Sequence, residues 1–173
     1  RQQTMVFIRL FEKSVKICLG TAGRNVTIVK ILIGYPDHPS GVYQSVAGRY
    51  LKYIERLRAY GFDVKGFCLT LNPPAECLAF SRLDKLWRQG DRRLLAMYER
   101  LAVELESCDV LLNYTGINLH PRFVERLPVC TVFQCFDDPE SSEHLSRPVA
   151  GAYDLALVGN IAELDTYRGW GVE

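Results

Sequence analysis

From Val26 to Ile33 the chain reads Val-Thr-Ile-Val-Lys-Ile-Leu-Ile, and Gly34, Pro36 and Pro39 close the run. A strand with one wet face alternates polar and apolar positions, so a run this rich in β-branched residues is the pattern of a strand buried on both faces. Such strands belong to sheets covered by helices on both sides, and a helix follows. From Tyr43, the residues Val46, Ala47, Tyr50, Leu51, Ile54 and Leu57 recur at the spacing of one helix face, and Gly61 stands where a left-handed terminating residue belongs. Phe62 to Leu71 supplies a second strand, centred on Val64 to Cys68 and ended by Asn72-Pro73-Pro74. Strand, helix, strand at this spacing is a right-handed βαβ unit with parallel pairing.

The pattern then repeats in kind. A helical region runs from Ser81 to Ser107, broken at Gly90 and restarted with Asp91 as N-cap. Its second part carries Leu94, Leu95, Tyr98, Leu101, Ala102 and Leu105 on an apolar face. Arg88, Arg92, Arg93 and Arg100 fall on the opposite side, as a solvated face. Asp109 leads into the apolar run Val110 to Leu112, Pro121 to Leu127 reads as a short helix, and Val129 to Phe136 as another strand. Leu155 to Val158 is a further strand, followed by a helical stretch from Ile161 to Tyr167. Alternation of this kind predicts an α/β fold with a Rossmann-like, open and mainly parallel sheet and helices on both faces. Residues 26–173 are assigned to it, and residues 1–25 to an N-terminal extension or linker.

With 173 residues, 48% hydrophobic, and a formal net charge of +1, the chain is sized and balanced for one ordinary globular domain. It carries no polycationic footprint, so nucleic acid is not an expected partner. Met5 to Leu19 is apolar in places, but Arg9, Glu12, Lys13 and Lys16 interrupt it, so neither a signal peptide nor an integral membrane segment is expected. The six cysteines, Cys18, Cys68, Cys77, Cys108, Cys130 and Cys135, form no Cys-x-x-Cys pair and mostly sit in apolar runs. They read as reduced core residues, consistent with a cytoplasmic location.

In an open α/β sheet ligands bind beyond the carboxyl ends of the strands, so three loops are candidates. The first holds Asp37, His38, Ser40 and Gly41. His38 has the pKa range of a general base, and a helix beginning at Ser40 and Gly41 would favour an anion, although Asp37 and His38 can also simply shape a turn between prolines. The second, Asn113, Tyr114, Thr115 and Gly116, offers amide and hydroxyl groups to a sugar, or equally ordinary strand-ending chemistry. The third places Asp137 and Asp138 after an apolar strand, where paired acids can hold a divalent cation, orient a hydroxyl or cap a helix. No dinucleotide, phosphate-loop, nucleophile-elbow or zinc-protease motif is present, and with only His38, His120 and His144 a histidine-rich metal site is not expected.

Three later segments, Glu104 to Leu112, Val132 to Pro139 and Ala152 to Val158, together with Tyr167-Arg168-Gly169-Trp170-Gly171, resemble the N-terminal domain of CgeB-like bacterial glycosyltransferases of the GT-B architecture. The resemblance spans roughly residues 28–173, through short and tolerant pieces. It implies an acceptor-side domain facing a nucleotide-sugar-binding domain that would follow Glu173, no metal cofactor, and acceptor-binding or structural roles for Asp137 and Asp138. It also carries Asp37, His38, Ser40 and Gly41 to the cleft, with His38 or Asp37 polarising the hydroxyl that receives a hexosyl group. The partners implied are a nucleotide-sugar donor and a hydroxyl acceptor. These 173 residues alone are expected to be inactive, and an exposed domain-docking face leaves a homodimer open. The alternative is a non-catalytic, flavodoxin-like signalling or interaction domain, in which Asp37, Asp137 and Asp138 gather a magnesium ion.

Overall fold

The computed structural model describes residues 29–36, 44–71, 79–114, 116–135 and 142–172. Within them the fold is an open α/β sheet of five parallel strands: β1 (Lys30–Tyr35), β2 (Asp63–Cys68), β3 (Val110–Tyr114), β4 (Cys130–Cys135) and β5 (Leu155–Val158). Their spatial order is β2-β1-β3-β4-β5. From β1, in the interior of the sheet, the chain steps outward to β2, then returns past β1 and builds in the other direction. The most buried strands, β1, β3 and β4, are the inner ones, and β2 and β5 form the edges.

Alternate side chains feed two cores. On one face Ile31, Ile33, Val64, Val110 and Leu112 pack with Ile54 and Leu57 of α1 (Gln44–Ala59). On the other, Leu32, Leu111 and Phe133 meet Leu83 of α2 (Phe80–Arg88) and Leu94, Met97, Leu101 and Leu105 of α3 (Arg92–Leu105). Two short helices, α4 (Pro121–Val124) and α5 (Leu164–Gly169), complete this second layer. A π-helical turn spans Ser142–Ser146 between β4 and β5.

The break between α2 and α3 is the predicted one. Gly90 takes φ +63°, and the Asp91 carboxylate accepts from the backbone N–H of Arg93 and of Leu94. Arg93 pairs with that carboxylate at 2.9 Å and holds its pKa below the ordinary value. Gly61 likewise ends α1 with φ +90°. Arg88, Arg92 and Arg100 are exposed, Arg88 on Asp84 of its own helix.

Two expectations need correction. Leu51, Leu95 and Ala102 were placed on core faces, but they flank them and are exposed, Leu51 by 48% and Leu95 by 38%. The seam of α3 is Leu94, Met97, Tyr98, Leu101 and Leu105, a tighter 3-4 spacing that omits both flanking residues. The first strand does not stop at Ile33. It continues through Gly34 and Tyr35, with Gly34 opposite Phe67 on one side and Asn113 on the other. Gly34 is a packing residue here: a Cβ on it would lie 2.9 Å from Cδ1 of Leu69, whose chain leaves β2 and crosses over β1. Val26 to Ile28 lie outside the described residues.

Polar side chains close the amino ends of the strands. Asp109 accepts from the Lys30 N–H at 2.8 Å, and Asp154 accepts from the Thr131 N–H at 2.7 Å and from its hydroxyl at 2.9 Å. Cys130 and Cys135 are buried, and Cys68 and Cys108 are half-buried; Cys18 and Cys77 lie outside the described residues.

Candidate functional site at the carboxyl edge

Because β1, β3 and β4 are parallel neighbours, their last residues Tyr35, Tyr114 and Cys135 reach one edge, and the three candidate loops leave from that common rim. The connections turn opposite ways from β1 and β3, since β2 lies on one side of the pair and β4 on the other. Such a switch point opens a crevice at the carboxyl ends of the two strands. Of the residues singled out from sequence, Asn113 and Tyr114 stand at this crevice. Asp37, His38, Ser40, Gly41, Thr115, Asp137 and Asp138 lie outside the described residues.

Asn113 is not a turn residue but the fourth residue of β3, paired with Gly34 and wholly buried. Its Oδ1 accepts from the Tyr153 hydroxyl at 2.9 Å, while Nδ2 has no hydrogen-bond partner among the described residues. Burial raises the Tyr153 pKa, so that hydroxyl stays a neutral donor. A buried amide donor left unpaired costs about 1–3 kcal/mol, and native structures keep few of them. The position a Gly34 Cβ would take lies 3.3 Å from Nδ2 and 2.9 Å from Leu69 Cδ1, so the glycine lets Leu69 pack beside the amide.

Tyr114 is the next residue, so its side chain turns to the other face of the sheet. There its ring meets Tyr50 of α1 edge-on at 5.7 Å, and Tyr50 stacks on Tyr35, at the end of β1, at 6.1 Å with the planes 16° apart. All three rings are half-buried.

The chain then turns through Gly116 (φ +66°) and Asn118 (φ 55°) before α4. This turn is tied by three hydrogen bonds. Asn118 Nδ2 donates to the Leu69 carbonyl at 2.8 Å; the Tyr98 hydroxyl donates to the Asn118 carbonyl at 3.0 Å and accepts from the His120 N–H at 2.8 Å. The His120 ring lies between Trp87, at 4.7 Å and 9°, and Phe80, at 6.2 Å and 22°. Its Nδ1 accepts from the Arg122 N–H at 3.2 Å and so caps α4, which leaves the proton on Nε2, 3.3 Å from Asp84. Burial lowers the His120 pKa, against the opposing pull of Asp84. With both nitrogens engaged, this imidazole is scaffolding for the turn and not a free base. Sequence reasoning considered His120 only as a metal ligand; its place before Pro121, at a helix start, was the available signal for a cap.

No family model, curated protein or solved structure matches this chain. Among the described residues, the side chains at this edge are neutral and hydrogen-bonding, with aromatic surface on the other face of the sheet. Among the described residues no group of three His, Cys, Asp or Glu side chains is placed to hold a metal ion, and no helix is long and apolar enough to cross a membrane. A pocket of about 90 Å³ opens at the opposite, amino edge, lined by Lys30, Asp63, Lys65, Ser107 and Cys108 among others. Its groups are already occupied with one another: Lys65 donates to Ser107 at 3.1 Å, and the Cys108 thiol donates to the Glu104 carbonyl at 3.4 Å with its pKa pushed up by burial. It is a poorer candidate than the carboxyl edge, where ligands of open α/β sheets bind.

Proposed function

We propose that this chain is the acceptor-side domain of a two-domain glycosyltransferase of the GT-B architecture, one that moves a hexosyl group from a nucleotide sugar to a hydroxyl acceptor lying across the β1–β3 crevice. The observation that supports the reading most is the Asn113 amide, buried at the switch point with Nδ2 unpaired among the described residues. A neutral donor held this way suits a hydroxyl oxygen. In this reading Asp37 or His38 polarises the attacking hydroxyl, Ser40 and Gly41 face the donor phosphates, and Thr115, Asp137 and Asp138 contribute to the acceptor side. No metal is invoked.

The test is transfer of radiolabelled hexose from UDP- and GDP-sugars by the natural full-length protein. Replacing Asn113 by Leu should lower acceptor kcat/KM by about tenfold, the scale of one hydrogen bond, with donor KM unchanged. Full transfer in a variant lacking both Asp37 and His38 removes their assigned role, and absence of transfer from every nucleotide sugar removes the activity.

The strand order favours a second reading. The order β2-β1-β3-β4-β5 is that of flavodoxin-like folds, which also serve as signalling domains. Stoichiometric, magnesium-dependent labelling by a small phosphodonor would establish that reading over the first.

A further inference from the structure

The α1 face of the sheet is more deeply buried than α1 alone can make it. A helix is about 10–12 Å wide and strands lie about 4.8 Å apart, so one helix shields two or three strands of a five-stranded sheet. α1 packs on β1 and β2 and reaches β3 at Tyr114. Among the described residues it supplies every helical side chain of this core, Tyr50, Tyr53, Ile54 and Leu57. Farther across the same face, on β3 and β4, Val110 and Val132 are nonetheless 0% exposed, Leu112 2% and Cys130 5%. The helix after β5 does not cover them, since Tyr167 packs in the opposite core and Ile161, in the turn before it, is 83% exposed. The second half of this layer therefore comes from the same chain, outside the described residues.

Residues 37–43, 72–78 and 136–141 all follow carboxyl ends of strands, whereas Val110 and Cys130 open their strands at the amino edge. Residues 1–28 precede β1 and so adjoin that amino edge. Within them Ile8, Phe11, Val15 and Cys18 recur at the spacing of one helix face, and Arg9, Glu12, Lys13 and Lys16 fall on the other. A helix over residues 5–19 would be about 22 Å long, against about 20 Å for the six residues of β4. Gly20 to Asn25 can extend about 20 Å, which spans the two strand spacings, about 10 Å, between β1 and β4. We infer that residues 5–19 dock as an amphipathic helix on the α1 face over β3 and β4, with Phe11 and Val15 against Leu112 and Val132 and the four charged residues outward. The segment then belongs to the domain and is not a linker, whether or not the carboxyl edge handles a sugar.

The experiment uses the 173-residue chain as it stands. Isotope-edited NMR should show NOEs from the Phe11 ring to methyl groups of Val132 or Leu112, and a sample mixing labelled with unlabelled chains should show none of them between molecules. Alkylation of thiols, located by mass spectrometry, gives a second reading, because Cys130 lies on this face of the sheet and Cys135 on the other. Phe11→Glu should speed Cys130 alkylation at least about tenfold while Cys135 stays slow, the scale of one buried aromatic side chain, and Lys13→Glu should change neither. Absence of the Phe11 NOEs overturns the inference, and NOEs found only between molecules overturn it in favour of a second copy. Cys130 alkylated in the parent as fast as in urea, or exposed as much by Lys13→Glu as by Phe11→Glu, overturns it as well. If Phe11→Glu does not fold, the NOEs of the parent decide.

Discussion

Removing a single oxygen, in Tyr98→Phe, tests how the turn beneath the crevice is held. The Tyr98 ring is 3% exposed and stacks on Phe123 at 4.0 Å with the planes 11° apart, so phenylalanine keeps the packing and leaves almost no cavity. What it loses is a hydroxyl serving two backbone groups, the Asn118 carbonyl at 3.0 Å and the His120 N–H at 2.8 Å. Each buried group left without a partner costs about 1–3 kcal/mol, and the variant no longer has to desolvate a phenol, so the expected net loss is about 2–4 kcal/mol. That is a large part of the roughly 5–15 kcal/mol that keeps a domain folded. In urea, with a slope of about 1–3 kcal/mol per molar, the unfolding midpoint should fall by about 1–2 M with the slope unchanged. Hydrogen exchange at His120 should accelerate along with it. A midpoint within about 0.3 M of the parent, or an unchanged His120 exchange rate relative to global unfolding, would refute the claim that this hydroxyl secures the turn.

Acidification should weaken the fold through His120. Burial places its folded-state pKa below the ordinary 6.5, so below that pH the unfolded chain binds more protons; the stabilisation is complete above pH 6.5 and drains as the pH falls through the unfolded value toward the folded one. Asp84 and Glu125 oppose the shift and Arg122 adds to it, and His120→Asn, which can still cap α4, should flatten the denaturation midpoint between pH 6.5 and about 5, above the carboxylate range. Gly116→Ala should destabilise by about 2–4 kcal/mol by chemical denaturation, because φ is +66° and the new Cβ would meet Val149 Cγ2 at 2.5 Å; a loss under about 0.5 kcal/mol would mean the turn relaxes freely. Asp91→Ala removes the acceptor for two helix N–H groups, and a loss of about 1 kcal/mol is expected in the same assay, with Asp91→Asn restoring most of it.

The elements that could be read from sequence are those whose signals are local. Leu155–Val158 forms a strand with the predicted bounds, and the Gly90-Asp91 break is marked by a left-handed residue and a capping carboxylate side by side. Gly34 was misread because glycine after an apolar run signals a turn, whereas here it makes room for Leu69, a residue brought from the far end of the next strand. The site fared the same way. Asn113 was singled out for its amide, but its burial and its Tyr153 partner, forty positions on, depend on tertiary folding. The His120–Asp84 contact joins residues thirty-six positions apart, and the cluster of Tyr35, Tyr50 and Tyr114 draws single residues from three elements, so neither leaves a spacing motif.

The indole of Trp87 lies flat on the His120 imidazole, and a protonated imidazole is a far better quencher of indole emission than a neutral one. The molecule accordingly carries its own optical indicator at the foot of the loop that follows β3. Trp170, the other tryptophan, packs on Tyr167 and supplies a background against which dimming of Trp87 would report a change in that loop without any attached dye.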